Sequence, residues 1–263
     1  MKQSCQAVSL SRAAYYREIR VSVDDAAIIE AFNAVVAQHG RWGFWKCHAR
    51  FRLDGRAWNH KRTWRVYCAM KLNLPRRTKK RLIRPVQPLD VPSLPNQTWA
   101  LDFMSDSLYQ GRRFRTLNIL DEGVREALAI EIDTSLPAQR VVRTLQQLEA
   151  WRGLPKAIRL DNGPELTSQH LADWCKDKSI ELRFIQPGKP NQNAFIERFN
   201  RSYRTEVLNG WLFTSLDEVR EITHQWLQSY NEERPHDALG NLPPAVFRER
   251  LLAGKNSTSK LST

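Results

Sequence analysis

Apolar residues recur at helical spacing up to about residue 74. Beyond residue 97 they alternate, with further helical stretches between the alternating runs. Residues 24–38 place Ala27, Ile28, Phe32, Val35 and Val36 on one stripe, with Asp24 and Asp25 at the positive N-terminus and His39-Gly40 at the end. Residues 41–53 and 58–72 predict two more helices around an Asp54-Gly55 turn. The second turns Trp64, Tyr67, Cys68 and Leu72 inward, and the tryptophans of this unit read as packing. Residues 5–20 predict a turn and a short helix capped by Ser9 or Ser11.

The period changes at Gln97. Residues 98–106, 112–121 and 125–133 predict three strands joined by short turns, and a helix follows from Pro137 to about Arg152. Then come a strand (156–161), a helix (167–178), a strand (180–185), a loop, a helix reaching Leu208, and a last helix over 215–231. This order predicts a mixed α/β sheet covered on both faces, preceded by a small all-α unit. The expected domains are 1–22 (the end of a helix-turn-helix begun before Met1), 23–74 (helical DNA-binding unit) and 75–97 (basic, Pro-rich linker). The catalytic core with a C-terminal helix covers 98–253, and 254–263 is an expected disordered tail.

Charge divides the chain at the same place. Residues 1–98 hold 19 Lys and Arg against 6 Asp and Glu, whereas the remainder holds 22 of each, so the whole net charge of +13 belongs to the N-terminal third. Such an imbalance predicts a polyanionic partner. Lys61, Arg62 and Arg65 are expected on phosphates, and Arg76, Arg77, Lys79, Lys80 and Arg81 are expected to strap the linker along a DNA backbone. His39, Cys47, His48, His60 and Cys68 match no standard zinc spacing, and the four cysteines contain no C-x-x-C pair. No apolar run has membrane-spanning length and no secretory pattern is present, so a cytoplasmic, nucleoid-associated place is expected.

The remaining chemistry lies in three acids. Asp102 stands inside an apolar strand, where an unpaired charge is costly, and Asp161 closes the fourth strand before Asn162-Gly163-Pro164. Glu197 follows on a helix whose Phe195, Ile196, Phe199, Tyr203 and Val207 form an apolar face, with Glu197 on the polar side beside Asn193, Asn200, Arg201 and Arg204. Chain topology can return all three to one end of the sheet. Carboxylates suit Mg²⁺, a hard ion satisfied by a few oxygens and water, and two such ions about 3.5–4 Å apart can drive phosphodiester chemistry without a covalent enzyme intermediate.

WALDFMSD (99–106), IRLDNGPE (158–165) and PGKPNQNAFIERFNRSYRTEVL (187–208) closely resemble the DDE motifs of bacterial insertion-sequence transposases of the OrfB type, which are related to retroviral integrases. GRWGFWKCHARFR and NHKRTWRVY resemble the family's N-terminal helix-turn-helix segment, and YNEERPHDALGNLPPAVF (230–247) resembles its C-terminal signature. The resemblance implies an RNase H-like core, Mg²⁺ or Mn²⁺ (two ions) held by Asp102, Asp161 and Glu197, and strand transfer of element ends into target DNA. It also implies Arg204, with Arg201, near the DNA end, double-stranded DNA and a homo-oligomer as partners, and an upstream OrfA as fusion or partner. LDEGVRE (120–126) departs from the family's usual Asp-Asp-aromatic-Ser/Thr-Arg run. A metal-dependent nuclease and a non-catalytic DNA-binding regulator are the competing expectations.

Overall fold

A computed structural model describes residues 23–74, 92–186 and 190–259, with isolated positions before them. The linker cations Arg76, Arg77, Lys79, Lys80 and Arg81, the 187–189 loop and nearly all of 1–22 lie outside the described residues.

Three helices open the chain: α1 (Val23–Gln38), α2 (Phe44–Leu53) and α3 (His60–Ala69). Phe32 is fully buried between Phe51, at a ring-centroid distance of 4.9 Å, and Tyr67 at 5.4 Å. Aromatic packing of this kind explains why so short a unit can bury a core. In α3 the inward residues are Thr63, Val66 and Tyr67, and Asn59 caps the helix by accepting from Lys61 N at 2.9 Å. Trp64 departs from its expected core position and is 46% exposed, its ring edge-on to Phe44. The stripe turns by one residue because Thr63 donates its hydroxyl to the helix backbone and so can take the buried place.

The second unit is a five-stranded mixed sheet, in the order β3-β2-β1-β4-β5. Its strands are β1 (Thr98–Ser107), β2 (Arg113–Asp121), β3 (Glu126–Asp133), β4 (Ala157–Leu160) and β5 (Glu181–Phe184). The first three form an antiparallel meander, while β4 and β5 run parallel to β1 through helical crossovers. Helices α4 (Ala138–Arg152) and α5 (Gln169–Asp177) cover one face, packing on Trp99, Leu101, Leu117 and Ile119. The other face carries α6 (Ala194–Tyr203), whose last turn widens to π geometry over Arg204–Leu208, and α7 (Leu216–Glu232). Alternation along β1 sends Trp99 and Leu101 to the α4 face and Ala100 to the α6 face.

A further helix, α8 (Pro244–Ser259), follows α7 and was not expected. It runs through 254–259, where a disordered tail was expected. Prolines and polar residues around it hide the helical period, but Arg248 ties it to the sheet through a 3.0 Å ion pair with buried Glu126.

The unusual β2–β3 turn is held by buried charge. Asp121 Oδ1 accepts from Gly123 N at 2.9 Å, Asp121 Oδ2 accepts from Asn96 N at 2.8 Å, and Arg159 pairs with the fully buried Glu122 at 3.0 Å. A Cβ at Gly123 would overlap the Leu94 carbonyl, so only glycine fits there. Arg125 closes the turn in the left-handed region at φ 57°.

Candidate active site

Asp102 sits mid-strand on β1, opposite Asn118 of β2, on the face that receives α6. Its two oxygens accept from Phe103 N at 2.8 Å and from Asn200 Nδ2 at 2.7 Å. Asn200 in turn accepts from Asn118 Nδ2 at 2.6 Å, so a buried amide relay ties the first acid to the helix that carries Glu197. Asn200 was expected beside Glu197 on the polar face. It is instead buried, because it lies one turn after Ile196 and one before Tyr203, inside the apolar stripe. That position alone marks it as a buried amide needing partners.

Asp161 follows the last residue of β4. Its Oδ1 accepts from Gly163 N at 3.0 Å, which turns the chain sharply away and leaves the carboxylate half-buried at the strand end. The loop beyond is pinned by an ion pair between Glu165 and Arg115, with Arg115 lying over the Phe103 ring at 4.4 Å. Glu197 is exposed on the first turn of α6, while Ile196, Phe199 and Tyr203 are buried beneath it. The Tyr203 hydroxyl bonds to Thr223 of α7 at 2.7 Å. α6 therefore presents Glu197 from a rigid base.

The electrostatics fit a cation. Burial pushes the Asp102 carboxyl up to about 6, and the charges of Asp161 and Glu197 push it the same way. Other acids nearby are neutralised: Glu165 by Arg115, and Asp106 by Arg204 at 2.6 Å. Among the described residues, Asp102, Asp161 and Glu197 have no cationic partner. Among the described residues no three acidic, imidazole or thiol groups come together as a set that could hold a metal ion. Mg²⁺ does not require such a set, since it is commonly bound by one or two carboxylates together with water and substrate phosphates.

The expected DNA-binding cations divide. Lys61 and Arg201 are exposed. Arg62 and Arg65 both turn to the buried Asp25, at 2.9 and 2.6 Å, and so hold α3 to α1. Arg204 is engaged by Asp106 and also donates to Ser105 O at 2.8 Å. His39 stacks on Trp42 at 3.9 Å, His48 bonds Thr63 at 3.2 Å, and Cys47 donates to Trp42 O.

Asn200→Ala removes the donor on Asp102 and leaves Asn118 without its partner. If Asp102 holds a metal in a strand-cleaving site, cleavage is expected to fall by about 10- to 100-fold, the usual effect of deleting a group that orients a metal ligand. Single-turnover cleavage against duplex-binding affinity checks it: the rate should fall and the affinity should not.

Two stretches of the chain, residues 92–190 and 178–244, match the integrase core domain family. An insertion element IS407 protein of 31.7 kDa from Burkholderia multivorans is 36% identical over 94% of this chain and 89% of its own length. An insertion element IS476 protein of 39.2 kDa from Xanthomonas euvesicatoria is 38% identical over 94% of this chain and 71% of its own. Among solved structures, a chain of the simian T-cell lymphotropic virus intasome in complex with a PP2A regulatory subunit shares the fold, with TM-score 0.50 and 18% identity over 71% of this chain and 66% of that one. The chain belongs to the DDE transposases of bacterial insertion sequences, of the OrfB type, with an RNase H-like integrase catalytic core.

Proposed function

We propose that Asp102, Asp161 and Glu197 are the catalytic and metal-holding residues of this transposase, and that Mg²⁺ or Mn²⁺, as two ions, is its cofactor. The observation that carries this reading is a trio of acids from β1, the end of β4 and α6, unpaired among the described cations and each supported by a separate element. Bound divalent ions would supply charge to activate an attacking hydroxyl and to stabilise the leaving oxygen of a phosphodiester.

The chain's own residues do the rest. Asn200 and the Phe103 amide fix the Asp102 carboxylate, and the Gly163 amide fixes that of Asp161. The α6 helix presents Glu197 on its exposed first turn, and Arg201, exposed one turn further along, draws a DNA strand past it. Arg204 is released to DNA only by leaving Asp106, so it acts after binding rather than before. Lys61, with the partly exposed Arg62 and Arg65, offers the helical unit to the backbone, and the linker cations Arg76, Arg77, Lys79, Lys80 and Arg81 extend that contact. The substrates are double-stranded element ends and target DNA, held by a homo-oligomer in the cytoplasm. No helix among the described residues is long and apolar enough to cross a membrane.

Nicking and joining of DNA carrying the element's own terminal repeats tests the reading. Both steps are expected with Mg²⁺ or Mn²⁺ and to vanish in EDTA. Cleavage that persists without divalent ions would overturn it.

A further inference from the structure

Beside α6 lies a cavity of about 190 Å³ between α6, the β2–β3 turn, α2 and the stretch after α7. Lys46, Arg125, Arg198 and Arg234 line it, with His236 in its wall. Arg234 is 7% exposed, and one edge of its guanidinium bonds Glu206 at 2.7 Å and Ser202 at 3.2 Å while its buried Nε has no partner. Arg125 reaches in from its left-handed turn position, with its guanidinium 3.5 Å over the Phe195 ring and a buried Nη1 also without a partner. Two buried guanidinium nitrogens without acceptors, on residues that line one space, are costly unless something accepts from them.

The acids around the cavity do not balance it. Glu206 is used by Arg234, Glu122 by Arg159, and Asp237 stands exposed at the rim. Burial, followed by the charge of Arg234, pushes Lys46 down to about 8 against the opposing pull of Asp237 and Glu206. A second cleft of about 440 Å³ shares Lys46, Arg198 and Arg234 with the first and is lined also by Glu197 and Arg201. The cationic space is thus continuous with the exposed carboxylate of the active site.

We propose that this cavity seats one backbone phosphate of the DNA strand that passes Glu197. Its cations come from both the helical unit and the catalytic core, so a seated phosphate joins the two. The inference rests on the active-site reading above, in that DNA must run along α6. Fixed, partly desolvated donors in a space this size match a phosphodiester group, and guanidinium forks match its oxygens. Lys46 already touches the C-terminal stretch through Pro235 O at 3.5 Å, and Arg50 reaches Glu233 O at 3.5 Å, so the two walls are in register before DNA arrives.

The test is equilibrium binding of the full chain to a fluorescent duplex in EDTA, measured over a range of salt. Arg198→Gln combined with Lys46→Gln is expected to flatten the log K against log salt slope by about 1, the value for one lost phosphate contact. Arg198→Lys should keep the slope, and Lys176→Gln, on α5 across the sheet, should leave it unchanged. Inorganic phosphate added at matched ionic strength separates the sources. Thermal protection by phosphate with no change of slope would assign the cavity to a free anion and overturn the proposal, as would an unchanged slope without protection. A flattened slope in the double variant, restored by Arg198→Lys, supports it. No catalysis is involved, so a flattened slope beside metal-independent cleavage would sink the active-site reading alone.

Discussion

Asp161→Asn or Glu197→Gln is expected to lower single-turnover strand cleavage by about 10³-fold or more, with the fold intact. Charge stabilisation through bound metal contributes several kcal/mol to such a transition state, and each 1.36 kcal/mol is a tenfold change in rate. Neither substitution disturbs packing. Glu197 is exposed, and Asn at 161 keeps the oxygen that accepts from Gly163 N. Thermal melts should therefore match wild type while product disappears. A variant that cleaves at the wild-type rate would remove its acid from the catalytic set.

Asp102→Asn should share the loss of activity and add a stability signature. The folded Asp102 carboxyl titrates at about 6, above its ordinary 3.8. A raised value in the folded state means that the native protein binds the proton more tightly than the unfolded chain. Its contribution to stability is thus full below pH 3.8 and is lost as pH rises toward 6. Asn at 102 removes that dependence, so between these limits the metal-free variant should show a flatter stability profile, by up to about 3 kcal/mol. Urea unfolding at a series of pH values in EDTA measures it, and parallel profiles for the two proteins would refute the electrostatic account.

Period and spacing carried the order of the strands and helices because each element buries one face against a layer that the next element supplies. The meander of β1 to β3 and the stripe of α6 were legible for that reason. Less legible were features set by partners distant in sequence. Nothing local to Arg62 and Arg65 reveals that Asp25 holds both, at side-chain separations of 2.9 and 2.6 Å, because that contact depends on how α3 crosses α1. Trp64 gave a helical signal one residue out of phase, since Thr63 satisfies its own hydroxyl on the helix and takes the inner place. Asn200 was legible in principle. An amide placed one turn from both Ile196 and Tyr203 falls inside the stripe, and its burial follows from the same spacing that located Glu197. The departure at LDEGVRE also acquires a cause, because its acids are sealed against Arg152 and Arg159, and its Arg125 faces the cationic cavity.

Arg152→Met is expected to cost about 3–5 kcal/mol of stability, the range for breaking a buried ion pair from one side. The Arg152 side chain, at the end of α4, is 6% exposed and reaches Asp121 at 3.3 Å and Glu126 at 2.7 Å. Asp121 is fully buried, and Glu126 keeps only Arg248, at 3.0 Å, once Arg152 is gone. Methionine fills the volume but leaves two carboxylates in a space that cannot solvate them. Glu126→Gln in the same background should recover part of the loss, since it removes one of those charges, and the recovery measures the coupling between the two positions. The effect should reach the active site only through stability. Asp121 faces Trp99 in the β1–β2 register, three residues before Asp102, so the strand that carries the first acid is anchored at this end. Cleavage at low temperature should stay near wild type, and on warming it should fall away many degrees earlier. A variant as stable as wild type in urea would show that the network of Asp121, Glu126 and Arg152 does not hold the sheet. A rate already lost in the cold would show that it acts on the acids directly.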